Sequence, residues 1–309
     1  MRLSTSVIYQ QQLSSMMKLS SDLATAAEQT SSGIRVSKPS DDPVAAAQAV
    51  LLSQTQASSE QYSTARSNAE NSLAVEDSTL DEVVNVIQSI QTLLVKAGNT
   101  TYSDVDRESM ATELQTYKDQ LVALGNSTDG SGNYIFGGYA TGSEPFSVAD
   151  DGTVTYNGSS SAISLSVSGS LNITIGDTGT SIFGDNGSNI FDIIDSVLTS
   201  LGTSLEDADS GMTQEEYSAS INAAIGTMSE QLDDVLTAQT ALGGKLTAID
   251  SLNSLNSTLD IVYSGRMTDL VEIDFAEATA TYSMLQVALQ ASAYVTSSMM
   301  SMSLFEMNS

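Results

Sequence analysis

Between Pro43 and Gly98 the chain has no internal glycine or proline, and within that run Leu80, Val83, Ile87, Ile90, Leu94 and Ala97 recur in alternating steps of three and four. This spacing puts them on one seam of a single long helix. A stripe of that length cannot bury itself, so the helix must pack on others. Asp42 suits the N-cap, where its carboxylate can accept a free backbone N–H, and Pro43 suits the first helical position. Upstream, Leu13, Met16, Leu23 and Ala27 follow the same period, broken only by Ser20, and a gap from Gly33 to Pro39 separates the two helices. After the turn Gly98-Asn99-Thr100 comes a third stripe: Met110, Leu114, Tyr117, Leu121 and Leu124.

Near residue 129 the pattern changes. Gly, Ser, Thr, Asn and Asp dominate as far as residue 211. Ile163, Leu165 and Val167 lie before Gly169, and Leu171, Ile173 and Ile175 after it. That period-two alternation around a turn predicts a β-hairpin. Asn189 to Leu201 reads as a short helix with Phe191, Ile194, Leu198 and Leu201 in register. Helix then returns: Thr213 and Glu216 form a capping-box pair. A seam follows through Ile221, Ile225, Met228, Leu232, Val235, Leu242, Leu246 and Ile249, with Gln239 as its polar break. Gly243-Gly244-Lys245 is expected to interrupt this helix. The last stretch carries Leu285, Ala288, Val295, Met299 and Met302 at heptad-compatible positions, with Ser292 polar among them.

The fold class expected is therefore mainly α with an inserted β-rich domain: an elongated antiparallel helical bundle or coiled coil built from both chain ends. In this reading residues 1–40 and 278–309 are terminal helices of an inner, assembling domain. Residues 41–128 and 212–277 form a helical rod, and 129–211 an outer β-rich domain. The two termini meet at one end of the bundle, with the β insertion at the other.

Composition narrows the chemistry. There is no Cys and no His among 309 residues, which removes disulfides, thiol chemistry, Ser-His-Asp machinery and the usual zinc sites. Thirty-eight acidic against ten basic residues give a net charge of −28, with no basic residue between Lys118 and Lys245. Such a surface repels phosphate backbones, so no nucleic-acid partner is expected. The opening MRLSTSVIYQ lacks the apolar core of a cleaved signal, and no apolar run is long enough to insert into a membrane.

Catalytic and metal motifs fail on inspection. Asp177-Thr178-Gly179 and Asp209-Ser210-Gly211 resemble two halves of an aspartic-protease dyad but lack matched β-lobes. The loops at Asp129-Gly130-Ser131-Gly132-Asn133 and Asp185-Asn186-Gly187-Ser188 lack the bidentate Glu of a calcium loop and read as turns. Leu246 stands where a phosphate loop needs Ser or Thr. The expectation is a non-enzyme with no catalytic residues, metal or cofactor. What remains is the apolar character of both extreme ends: Leu3, Val7, Ile8 and Leu13 at the start; Met299, Met300, Met302, Leu304, Phe305 and Met307 at the finish. Stripes there imply a surface completed by partner helices. The candidate interface residues are Leu3, Val7, Leu13, Met16, Leu23, Leu285, Leu289, Val295, Met299, Met302, Leu304 and Phe305.

The ends also carry an ordered set of short matches. Met1-Arg2-Leu3-Ser4-Thr5 opens the chain. Ser32-Gly33-Ile34-Arg35-Val36 precedes Pro39-Ser40-Asp41-Asp42-Pro43-Val44-Ala45-Ala46. Further on come Arg107 and Asn133-Tyr134-Ile135-Phe136-Gly137-Gly138-Tyr139. Ala241-Leu242-Gly243, Met267-Thr268-Asp269-Leu270 and Ser303-Leu304-Phe305 complete it. On these the chain resembles the flagellin superfamily over residues 1–145 and 236–309, and within it the branch that joins hook to filament. True flagellins typically continue Ala-Ala-Gly where this chain has Pro43-Val44-Ala45, and end in a Leu-Leu-Arg-type tail rather than Leu304-Phe305-Glu306. Both departures favour the junction branch over a short flagellin. A secreted effector with helical arms is the remoter alternative.

The resemblance implies a flagellin-like fold and export, unfolded and without a cleaved signal peptide, through the flagellar type III channel, with a cytoplasmic chaperone on the C-terminal helix. It further implies self-assembly into a ring contacting the preceding hook-associated protein on one side and flagellin on the other, in the extracellular flagellum.

Overall fold

The computed structural model describes residues 5–205 and 212–306, with the side chains of 7–205 and 212–299. The chain divides into two compact units, one built from the residues up to 58 and from 257 onward, the other from Ser59–Asn256. Helices α1 (Thr5–Ser32), α2 (Pro43–Ala97) and α3 (Asp104–Gly125) come first. Next are strands β1 (Phe146–Val148), β2 (Val154–Tyr156), β3 (Ile163–Ser166) and β4 (Asn172–Ile175), then helices α4 (Gly179–Phe183), α5 (Ile190–Gly202), α6 (Gln214–Val271) and α7 (Phe275–Glu306). Helices α2 and α6 each contribute to both units.

In the unit 59–256, α2 and α6 are the spine. Ala69, Leu73, Leu80, Val83, Ile87, Ile90, Leu94 and Ala97 of α2 are buried, as are Tyr217, Ile221, Ala224, Met228, Val235, Leu242 and Ile249 of α6. Polar contacts across the seam fix its direction. Tyr217 donates its hydroxyl to the Ala97 carbonyl at 2.9 Å, Gln239 donates to Asp81 at 2.8 Å, and Arg66 Nε donates to Asn253 at 2.6 Å. As the α6 number rises the α2 number falls, so the helices are antiparallel.

Thr213 and Glu216 close the anticipated capping box at the start of α6, the Glu216 carboxylate accepting the Thr213 N–H at 2.8 Å. Gly243 and Gly244 do not interrupt the helix, contrary to the sequence expectation. Two helical glycines cost about 2 kcal/mol, whereas full burial of Leu242 and Ile249 on either side contributes about 1.5–3 kcal/mol each.

Helix α3 begins at a Ser103–Asp106 capping box and buries Met110, Leu114 and Leu121. It packs against α5, itself capped by Asn189 and Asp192. Lys118 of α3 is buried, donating to the Asp195 carboxylate of α5 and, at 2.7 Å, to the Gly152 carbonyl. The β segment forms two separate antiparallel hairpins, β1 with β2 and β3 with β4, the second pairing Ile163 with Ile175 and Leu165 with Ile173.

Strands of three and four residues cannot stand alone. The core behind β1 and β2 is an aromatic cluster in which Phe146 lies 5.1–5.4 Å, centroid to centroid, from Tyr156, Phe183 and Phe191. Gly125 and Gly179 make room for it: a Cβ on either would meet the ring of Phe146 or Tyr156 at 2.8 or 2.4 Å.

The other unit is simpler. Helices α1 and α7 lie antiparallel, Met16 meeting Thr296 at 3.9 Å near one end while the Gly33 carbonyl accepts the Ile273 N–H at 3.1 Å near the other. Gly33 adopts φ +74° and ends α1, its N–H returning to the Gln29 carbonyl. The α1–α2 and α6–α7 links are tied by an antiparallel bridge between Ile34 and Glu272 and by Arg35, whose guanidinium donates to the Leu270 carbonyl at 2.8 Å.

Candidate assembly interface

The two units differ in how they use apolar side chains. The unit 59–256 has a continuous core. In the other, Ala26 and Ala45 are the only buried apolar side chains among the described residues. Its helices are nonetheless rich in large apolar groups, because α1 and α7 each carry two apolar faces rather than one.

On α1, Met16, Leu19 and Leu23 are half-buried on the face that includes Ala26, while Val7, Ile8, Tyr9, Leu13 and Met17 are exposed. On α7, Tyr282, Leu285, Leu289 and Met299 are half-buried, with Ser292 and Thr296 continuing the same steps of three and four between them. Met284 (72% exposed), Val287 (65%), Tyr294 (76%) and Val295 form the exposed face. Val44, Val50 and Leu51 on the first turns of α2, and Ile261 and Val262 near the end of α6, are exposed as well.

The candidate residues therefore separate into two groups. Met16, Leu23, Leu285, Leu289 and Met299 lie on the half-buried stripes, whereas Val7, Leu13 and Val295 face solvent. Leu3 lies outside the described residues. Met302, Leu304 and Phe305 lie on α7, beyond the last described side chain. The sequence reading missed Met17, Met284, Val287 and Tyr294 because it followed one stripe per helix. A second stripe, offset from the first, was the available signal.

The loop between α1 and α2 holds its geometry by carboxylate capping. Asp42 accepts the N–H groups of Ala45 at 3.0 Å and Val44 at 3.1 Å and pairs with Arg35 at 3.3 Å. The Ala45 N–H is the first cause of its carboxyl lying below the usual range, with the Arg35 and Val44 contacts adding to it. Asp41 accepts the Lys38 and Ser37 N–H groups and is lowered in the same way. These acids order a turn; among the described residues no group of three or more acidic side chains is placed to hold a metal ion. Asp177, the described half of the protease-like pair, is engaged with Lys245 at 3.5 Å, and Asp209 lies outside the described residues. Asp129 accepts the N–H groups of Ser131 and Asn133, as turn chemistry requires. No described helix is long and apolar enough to cross a membrane.

Residues 3–141 match the bacterial flagellin N-terminal helical region. That match alone leaves filament and junction proteins undivided. Over its whole length the chain is 38% identical to flagellar hook-associated protein 3 of Salmonella typhimurium strain LT2, and equally to that of Escherichia coli K12, each covered completely. The chain belongs to the flagellar hook-associated protein 3 family. By contrast, the phase 1 flagellin of Salmonella naestved matches at 32% identity over 37% of this chain and 23% of its own length. The fold is shared with the flagellar junction protein FlgL of Legionella pneumophila, with TM-score 0.59 and 18% identity, covering 73% of this chain and all of that one. The family is thus one of flagellar hook-associated proteins, and the mainly helical fold with a small β region is the one seen among them.

Proposed function

We propose that the protein is a structural subunit of the bacterial flagellum that forms the junction between hook and filament and presents the surface on which flagellin polymerises. The observation that carries this reading is the coreless unit of α1 and α7, apolar on two faces, in a chain that matches hook-associated protein 3 from end to end. Exposed stripes on both terminal helices suit a wall in which neighbouring copies supply the missing cover. Burial of Leu, Met and Tyr surface on assembly offsets the entropy lost when subunits and side chains are immobilised.

The finer features follow from the same reading. Copies of the chain close a ring, with Leu3, Val7, Leu13, Met16, Leu23, Leu285, Leu289, Val295, Met299, Met302, Leu304 and Phe305 contributing within or between subunits. The preceding hook-associated protein lies on one side, flagellin on the other, and a cytoplasmic chaperone shields the C-terminal helix before export without a cleaved signal peptide. Residues 1–40 and 278–309 serve as the inner assembly domain, 41–128 and 212–277 as the helical rod, and 129–211 as the outer domain. The role is mechanical rather than catalytic.

Electron microscopy of a deletion strain tests the reading. Hooks without filaments, with flagellin monomers released to the medium, are expected. Loss of flagellin itself points to a filament subunit, and normal flagella would overturn both.

A further inference from the structure

We propose that the Glu76 carboxyl is a proton-controlled latch that holds the β3–β4 hairpin, and the turn that follows it, against the α2–α6 seam. Glu76 occupies a seam position of α2, in step with the apolar and fully buried Leu73 and Leu80, and it has no exposed surface. Its Oε1 accepts the backbone N–H of Asp177 at 2.6 Å, the contact that joins the end of β4 to α2. Its Oε2 is buried with no hydrogen-bond partner. The charged groups facing it are Asp177 on the turn after β4, Lys245 on α6 and Asp77 on α2 itself. Lys245 is already engaged with Asp177 at 3.5 Å.

When Glu76 is ionised, three carboxylates share one ammonium, and a buried charged oxygen lacks a donor. When it is protonated, Oε1 still accepts the Asp177 N–H, while the charge that is costly to bury is gone. Burial first, and Asp177 second, push the carboxyl from 4.5 up to about 7. The docked hairpin therefore binds a proton that the released one gives up. Docking is tightest, and level, below pH 4.5, weakens as pH rises through the interval up to about 7, and is level again above that.

The hairpin is also one wall of a cleft of about 230 Å³, where Ile163, Ile175 and Gly176 face Ser72 and Val75 of α2. Gly176 is bonded directly to Asp177, so the protonation state of one side chain sets how firmly that wall is held. Arg66, another seam residue of α2, grips the far end of the hairpin through the Val167 carbonyl at 3.0 Å. This contact does not involve Glu76 and serves as the second attachment of the hairpin.

Hydrogen exchange of the full chain, corrected for the intrinsic pH dependence of exchange, tests the latch. Between pH 5 and pH 7.5 the Asp177 amide should lose protection by more than about tenfold, since the full shift corresponds to a factor of about 300. The amide of Ile87, a fully buried seam residue of α2, should stay level over the same range and serves as the control. In E76Q, which keeps the acceptor without the charge, the Asp177 amide should be level too. An equal slope in wild type and E76Q overturns the proposal. Should E76Q fold poorly, carbon-13 titration of the Glu76 carboxyl in the unaltered chain decides: a midpoint near 7 supports the latch, and one at or below 4.5 refutes it.

Discussion

Replacing the outer apolar stripe of α7 by a polar one should block assembly and leave the subunit intact. The variant is M284Q/V287Q/Y294Q, with glutamine chosen because it is a good helix former. Complete burial of a Met or Val side chain contributes about 1.5–3 kcal/mol, and Tyr is comparable. Between 65% and 76% of each remains exposed, so about 1–2 kcal/mol per residue is still to be gained when a neighbour covers it. The triple variant then forfeits about 3–6 kcal/mol per subunit, a weakening of about a hundredfold to ten-thousandfold. Sedimentation velocity of the purified chain over a concentration series reads the effect directly. The thermal transition of the unit 59–256 should not move, because none of the three residues belongs to its core. Self-association equal to wild type, or a variant that restores filaments to a deletion strain, would refute the reasoning.

Other outcomes follow from the same physics. Leu80→Ala empties a fully buried seam position and should cost about 2–5 kcal/mol, lowering the melting temperature by about 2–4 °C per kcal/mol for a unit of this size. Asp42 contributes its cap at pH values above the ordinary carboxylate range, and loses it as acid protonates the group through its lowered pKa. The Val44 and Ala45 amides should therefore lose exchange protection at low pH, and Asp42→Ala should show the same loss at neutral pH. Charge is divided unequally: residues 59–256 hold 28 acidic and five basic residues, the remainder ten and five. Every copy carries −28 in all, and like charge opposes the association of copies. Self-association should thus strengthen as salt shortens the screening length from about 10 Å at 0.1 M to about 3 Å at 1 M.

The spine was legible because its signal repeats. From Leu80 to Ala97 on α2 and from Ile221 to Ile249 on α6, burial follows the same steps of three and four that the sequence shows. Caps were legible for a local reason: Asp42 and Thr213 act on N–H groups two or three residues away. The pairing of α3 with α5 was not, since nothing in either helix names a partner, and the Lys118–Asp195 contact spans 77 positions. Gly243 and Gly244 misled because a local propensity was weighed without the seam around it. The second apolar face of α7 was visible in Met284, Val287 and Tyr294, but one face is all that a self-contained helix requires. Glu76 was hidden for the opposite reason: a single acid within a heptad reads as a surface position until the chain from β4 is seen lying on it.

Methionine oxidation provides the most direct measurement of whether the outer faces of α1 and α7 are covered by other subunits. Met17 and Met284 are 64% and 72% exposed in the subunit, while Met110 and Met228 are buried and serve as internal references. In the isolated chain the first pair should oxidise quickly and the second slowly. In intact flagella Met17 and Met284 should slow to the rate of the references. Rapid oxidation of Met284 in assembled flagella would contradict the account.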